Sequence, residues 1–180
     1  MRCPDCGDEL IEARLAYVDV HDCHKCKGIW FEHNELERAK DNGDRWVRWI
    51  DFDVFSGAKA SGQPGHRPCP VCGEAMTVLV YEHSDVKIDV CVTDHGVWLD
   101  AGEFKKIIKE LDDLTNRISS KDYEHIAAHE LKEIVTGGHE SRISEIRDFL
   151  AMFRLLEMRV GVEHPEIAQM VTTLAETTPF

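Results

Sequence analysis

Six of the seven cysteines in this 180-residue chain fall in three Cys-x-x-Cys pairs. The pairs, and the one cysteine that stands apart from them, are Cys3/Cys6, Cys23/Cys26, Cys69/Cys72 and Cys91. An odd number of cysteines excludes a disulfide framework that uses every thiol, and closely spaced pairs are typical of metal-binding turns. The cysteine spacing therefore predicts metal sites, around which the rest of the chain has to fold.

The metal-binding turns belong to a tandem repeat. Residues 3–7 (Cys-Pro-Asp-Cys-Gly) return as residues 69–73 (Cys-Pro-Val-Cys-Gly), and residues 23–30 return as residues 91–98, each ending in Gly-x-Trp. In both copies an acidic residue, two further residues and a glutamate follow soon after the tryptophan. Such self-similarity predicts two copies of one small module.

The first copy offers four thiolates, from Cys3, Cys6, Cys23 and Cys26. Two turns that each supply two sulfur atoms, separated by a hairpin, form the closed tetrahedral site that structural zinc prefers. Iron in a rubredoxin-like setting is the main alternative, and its colour would reveal it.

The second copy departs from the first at the fourth ligand. Cys69, Cys72 and Cys91 match the first three ligands, but Asp94 takes the place of Cys26, with His95 beside it. We favour His95, because imidazole is the better zinc ligand, and keep Asp94 as the alternative. A third arrangement leaves the position open to water, as in catalytic zinc sites. The sequence thus predicts two zinc ions.

The repeated pattern resembles the TFIIB-type zinc-ribbon domain family, over about residues 1–37 and 69–105. The second copy keeps the family's Trp-Leu-Asp-x-Gly-Glu motif at residues 98–103 but is degenerate at the fourth ligand. The resemblance implies zinc-stabilised ribbons and gives zinc-ligand roles to the matching residues. Ribbons of this kind bind DNA, RNA or protein, or brace a neighbouring domain, so the resemblance does not imply one function.

Hydrophobic patterning predicts a small metal-bound α+β fold, with two tandem zinc ribbons built on β-hairpins and a C-terminal helical segment. Residues 86–90 alternate as a strand does, and Asn34 and Gly102 are suitable helix starts. A hairpin of this size has almost no apolar core of its own. We therefore expect each ribbon to be largely unfolded without its metal ion.

The sequence suggests four segments. Residues 1–41 form the first ribbon with a short helix, and residues 42–68 form an aromatic segment and a flexible linker. The second ribbon takes residues 69–103, and a helical region takes residues 104–180. The linker is inferred from the glycine-, serine- and proline-rich composition of residues 56–68.

Two apolar stretches need partners. The first is interpreted as packing against the first ribbon or the C-terminal region, with an exposed partner-binding patch as the alternative. It comprises Trp46, Trp49, Ile50, Phe52, Val54 and Phe55. The second is a helical stripe over residues 143–156, long enough to suggest a homodimer through the C-terminal helices.

The charge and composition of the chain reduce the number of function classes that it can belong to. A net charge of −13 disfavours general nucleic-acid binding, which depends on Lys and Arg. No stretch is apolar enough to cross a membrane and no secretion signal begins the sequence, so a cytoplasmic location is expected. We expect a noncatalytic adaptor or regulator that binds a protein partner with a basic surface, in a setting that includes transcription.

Two alternatives remain at this stage. One is a regulator that binds single-stranded nucleic acid or RNA through a patch comprising Arg45, Trp46, Arg48 and Trp49. In that case Trp30 and Trp98 would be exposed stacking platforms, whereas we favour packing behind the metal. A more distant alternative is a zinc hydrolase that uses an open second site.

Overall fold

The computed structural model describes residues 1–44, 47–50, 52–119, 121–123, 126 and 142–163. The chain divides into two compact units, Met1–Leu114 and Thr115–Phe180. Among the described residues the strands are β1 (Ile11–Leu15), β2 (Val18–Asp22), β3 (Ile29–Glu32), β4 (Gln63–Pro68), β5 (Ala75–Val80), β6 (Lys87–Val90) and β7 (Gly96–Leu99). The helices in the same parts of the chain are α1 (Glu35–Gly43), α2 (Val54–Ser61), α3 (Glu103–Arg117) and α4 (Arg142–Glu163).

All of these strands form one antiparallel sheet, in the order β1-β2-β3-β7-β6-β5-β4. The two copies of the repeat meet where β3 pairs with β7, and Trp30 lies directly opposite Trp98 in that pair. Since these tryptophans are also equivalent in the repeat, a local twofold axis passes between them. The ribbons are therefore fixed to each other through a shared sheet, and the predicted small α+β class is confirmed.

Residues 56–68 do not form the flexible linker that their composition suggested. Most of them lie in α2 and β4, and β4 pairs with β5 at the edge of the sheet. The Asp53 side chain caps α2 by accepting hydrogen bonds from the backbone amides of Phe55 and Ser56, at 3.1 and 3.0 Å. Proline is tolerated in an edge strand, so the prolines of β4 do not prevent pairing. The composition was misleading because the stabilising contacts come from residues before and after this stretch.

The aromatic segment packs into the core of the first unit. Ile50, Val54 and Phe55 are buried in the main apolar cluster, and Trp49 and Phe52 pack against it. The same cluster includes residues from β2, β3, β5, β6, β7, α1 and α3. The packing interpretation is thus confirmed for the part of this segment that the structure describes, while Trp46 lies outside the described residues.

The buried side chain of Lys40 connects α1 to residues 48–50. Lys40 is fully buried, and its ammonium group contacts the carboxylates of Glu37 and Asp41. It also donates hydrogen bonds to the backbone carbonyl oxygens of Arg48, at 3.3 Å, and Ile50. A charged group is tolerated in an interior when it is paired and hydrogen-bonded in this way. Lys40 therefore holds the start of the aromatic segment against the first ribbon.

The acid-x-x-Glu motif closes the turn from strand to helix in each copy. The side chain of Glu35 accepts a hydrogen bond from the backbone amide of Glu32 at 2.8 Å, and Glu103 does the same for Asp100 at 2.7 Å. Asn34 and Gly102 precede the two helices with positive φ angles of 63° and 83°, which Asn and Gly adopt most readily. Burial raises the pKa of both glutamates. The predicted helix starts are therefore confirmed.

The second unit is described over only part of its length. The Tyr123 hydroxyl donates a hydrogen bond to the backbone carbonyl of Thr115 at 2.8 Å, and burial raises its pKa to about 12. Helix α4 buries Met152 but leaves several apolar side chains exposed, namely Ile143, Ile146, Leu150 and Phe153. The homodimer stays a prediction, and residues 127–141 and 164–180 of the predicted helical region lie outside the described residues. Within the described part of the chain, no helix is both long and apolar enough to span a bilayer.

Candidate metal centres

The first cluster lies where the turn before β1 meets the turn between β2 and β3. Its four sulfur atoms, from Cys3, Cys6, Cys23 and Cys26, all lie within 4.8 Å of one another. The first turn is closed by the amide of Gly7, which donates to the carbonyl of Cys3 at 3.0 Å, and Gly7 has a φ of 74°. That left-handed conformation favours glycine, which explains the glycine after each Cys-Pro-x-Cys.

The spacing of these sulfur atoms fits zinc. The Cys3–Cys26 and Cys6–Cys23 sulfur pairs are 3.5 Å apart. Four sulfurs at the usual Zn–S distance of about 2.3 Å sit roughly 3.8 Å from one another in a tetrahedron. The backbone amide of Cys6 also donates to the sulfur of Cys3 at 3.4 Å, which favours the thiolate that zinc requires.

The pKa values of Cys23 and Cys26 show why this cluster needs a cation. Burial opposes ionisation of Cys23, but backbone amides of Cys26 and Lys25 outweigh it and lower the pKa to about 7. Burial, which has the largest effect, and the neighbouring sulfurs of Cys23 and Cys3 together raise the pKa of Cys26 to about 12. Thiolates this close repel one another, so they cannot all ionise unless a positive charge lies between them. A divalent metal ion supplies that charge.

The second cluster repeats the geometry of the first. The donor atoms of Cys69, Cys72, Cys91 and His95 all lie within 4.8 Å of one another. Cys72 and Cys91 sulfurs are 3.8 Å apart, and the His95 Nδ1 atom is 3.4 Å from the Cys91 sulfur. Cys69 and Cys91 are buried, whereas Cys72 is exposed. The structure describes all seven cysteines, and the other six are buried or partly buried.

His95, and not Asp94, joins the second cluster. In the first copy the turn after Cys23 ends on Lys27, which has a φ of 63°. In the second copy the left-handed residue comes one position earlier in the repeat, at Asp94, with a φ of 62°. The Asp94 carboxylate instead accepts a hydrogen bond from Lys59 at 3.0 Å. The shortened turn brings the next residue, His95, to the ligand position.

Thr93 is part of this site although its sequence position gave no signal. Its hydroxyl oxygen lies 3.0 Å from the Cys91 sulfur and 2.9 Å from His95 Nδ1. If Nδ1 held the metal ion, its lone pair would be used, and the hydroxyl would be left to donate to the Cys91 thiolate. Such hydrogen bonds to thiolate ligands stabilise their charged form.

Replacing the two candidates for the fourth ligand separates them directly. We expect Asp94→Asn to keep two zinc ions per chain after dialysis against a moderate chelator, because asparagine tolerates the left-handed conformation and Asp94 is no ligand. We expect His95→Ala to fall toward one ion per chain. The measurement is zinc content by elemental analysis, normalised to protein. Loss of zinc from the Asp94 variant with retention in the His95 variant would reverse the assignment.

The two tryptophans pack behind the metal sites. Trp30 and Trp98 are fully buried in a second apolar cluster that also holds two cysteines from each site, with Leu10 and Met76. The Trp98 indole donates a hydrogen bond to Asp100 at 3.1 Å. The packing interpretation is therefore correct, and the stacking-platform alternative is excluded because neither indole face is accessible.

The basic patch proposed for nucleic acid is only partly described. Arg48 forms an ion pair with Asp41 at 3.8 Å, and Trp49 packs against the main apolar cluster. Arg45 and Trp46 lie outside the described residues. The two described members therefore face protein groups of their own chain.

Comparison with known families gives the same assignment. Residues 2–42 and 68–110 each match the family model described as the transcription factor zinc-finger, a zinc ribbon of the TFIIB type. Neither the search of curated proteins nor that of solved structures found a match. The matched segments contain both ligand clusters and all of the strands that pair at the β3–β7 junction. Residues 2–42 and 68–110 are therefore two tandem copies of the TFIIB-type zinc-ribbon domain, each with its own zinc site.

Proposed function

We propose that this chain is a noncatalytic zinc protein that acts as an adaptor or regulator by binding a protein partner with a basic surface. The observation that carries the proposal is the closed donor set at each site. Each cluster brings four protein donor atoms within 4.8 Å of one another. Structural zinc uses four protein ligands, whereas catalytic zinc keeps one position for water or substrate.

The surroundings of the second site also argue for a structural role. The imidazole of His95 takes the position that a hydrolase would leave open. A cavity of about 330 Å³ lies next to α2 and β5, and its wall includes Lys59, Met76 and Val92 but none of the eight metal ligands. Zinc ribbons of this family are typically noncatalytic. A hydrolase would need a substrate cleft that opens onto the metal ion.

The charge of the chain favours a protein partner. The net charge is −13 before metal binding, and a zinc ion held by four thiolates adds further negative charge to the folded protein. Complementary charge speeds encounter with a basic protein surface and repels a phosphate backbone. The family's association with transcription is compatible with such a role, because the transcription machinery also assembles through contacts between proteins.

A pull-down from native extract tests this proposal. We expect the zinc-loaded chain to recover a protein partner whether or not nuclease is added, and Cys23→Ser to lose it because the first site no longer forms. Asp94→Asn is the matched control, since it changes a residue beside the second site and keeps both ligand sets. The amount of partner protein recovered should decrease only modestly as the salt concentration rises, because salt screens only the few exposed charge pairs at the interface.

The nucleic-acid alternative has a different outcome in the same experiment. Recovery that collapses after nuclease treatment would overturn the adaptor proposal. Fluorescence anisotropy with a labelled single-stranded oligonucleotide then measures the dissociation constant at several salt concentrations. Affinity that falls steeply and linearly with the logarithm of salt concentration would show phosphate contacts, despite the net charge.

A further inference from the structure

The junction between the two ribbons contains a reciprocal contact between glycine and tryptophan. A Cβ atom added to Gly28 would lie 2.1 Å from the Cζ2 atom of Trp98. A Cβ atom added to the equivalent Gly96 would lie 2.7 Å from the Cζ2 atom of Trp30. Atoms do not approach so closely, so only glycine fits at either position. Each indole is thus seated against the glycine of the other copy.

These glycines also belong to the metal-binding turns. The carbonyl of Gly28 accepts a hydrogen bond from the amide of Cys23 at 2.9 Å, and the carbonyl of Gly96 accepts one from Cys91 at 3.0 Å. Cys23 and Cys91 are ligand residues of the first and second clusters. A change in one turn is therefore passed to its glycine, and from there to the tryptophan of the other copy.

An ion pair joins the same two parts of the molecule a second time. Arg67 lies two residues before Cys69, and its guanidinium is 2.9 Å from the carboxylate of Asp5. Asp5 lies between Cys3 and Cys6 in the first metal-binding turn. The position of the first turn is thus tied to the strand that leads into the second.

From these contacts we propose that the two zinc sites bind their ions cooperatively. Ordering one metal-binding turn places the glycine against which the other copy's indole packs, so the second ion meets a site that is already partly organised. Coupling between sites is reciprocal, and each ion raises the affinity of the other by the same factor. We expect that factor to be about tenfold or more, within the range usual for coupled sites.

The test uses the full-length chain with Co²⁺ as an absorbing probe that zinc displaces. Four-thiolate and three-thiolate-one-imidazole sites give different ligand-field bands, so each site is followed separately. We expect Cys26→Ser, which disables the first site, to weaken metal binding at the second by about tenfold or more. Cys72→Ser should weaken the first site by the same factor. If each remaining site keeps its wild-type affinity, the proposal is wrong.

The route of coupling is tested by Gly28→Ala, which leaves all eight ligands unchanged. Gly43→Ala is the matched control, because an added Cβ there meets no atom closer than 3.7 Å. We expect Gly28→Ala to weaken metal binding at both sites and Gly43→Ala to weaken neither. Weakening confined to the first site would show that the glycine–tryptophan contact carries no coupling. Should Gly28→Ala fail to fold, the two cysteine variants decide the question.

Discussion

Removal of zinc is expected to unfold the first unit, Met1–Leu114. Binding of a structural zinc ion contributes on the order of 10 kcal/mol or more to the folded state, more than the whole stability of many small domains. The four sulfurs of the first site lie within 4.8 Å of one another, and no covalent bond holds those turns together once the metal is gone. The β3–β7 junction, which packs on those turns, should be lost with them.

Tryptophan fluorescence measures this loss. Trp30 and Trp98 are fully buried, so their emission should shift to longer wavelength when a strong chelator removes the metal, with loss of the strand signal in circular dichroism. Added Zn²⁺ should restore both signals, whereas Mg²⁺, which prefers oxygen ligands, should not. Unchanged emission after complete zinc removal would show that the apolar core folds without the metal sites.

The ligand residues could be read from the sequence because their chemistry is local. A metal-binding turn needs two donor residues a few positions apart and a residue with positive φ, and all of these are adjacent in the chain. The choice between Asp94 and His95 could not be read in the same way. It depends on which residue adopts the left-handed conformation and on Lys59, which lies 35 residues away.

The junction between the ribbons was not predicted, although a signal for it was present. The pairing of β3 with β7 joins residues as distant in the chain as Trp30 and Trp98, which are 68 positions apart, and no periodicity within either strand indicates its partner. The repeated Gly-x-Trp motif was the signal, because a glycine beside a large aromatic residue in a repeat indicates a place where another part of the chain approaches the backbone closely. In a tandem repeat, that approach is between the two copies.

The flexible linker was wrong for a related reason. Glycine, serine and proline favour turns when nothing else contributes, and composition describes only that intrinsic preference. Here Asp53 caps α2, and the edge of the sheet offers β5 as a pairing partner for β4. Both contributions come from outside the stretch whose composition was read.

Arg67→Met is expected to destabilise the first unit by about 3–5 kcal/mol, because it removes the cation from a partly buried cluster of carboxylates. Arg67 contacts Asp89 at 2.7 Å, Asp5 at 2.9 Å and Asp100 at 3.0 Å. Burial alone would lower the pKa of Arg67, but the hydrogen bonds to Asp89 and Asp5 and the charge of Asp100 raise it. Asp89 is 7% exposed and would be left with a charge that water reaches poorly.

Arg14→Met provides the comparison for this prediction. The Arg14–Asp19 pair spans 3.4 Å, but its side chains are 70% and 83% exposed, so its loss should cost at most about 1 kcal/mol. Both substitutions remove one positive charge from the same sheet, so the difference between their effects reports the burial of Arg67 together with its larger number of carboxylate partners. Urea unfolding of the zinc-loaded protein gives both values. Equal losses of stability would show that Arg67 acts as an ordinary surface charge and that the carboxylates around it are hydrated. In that case Arg67 would not tie the two ribbons together.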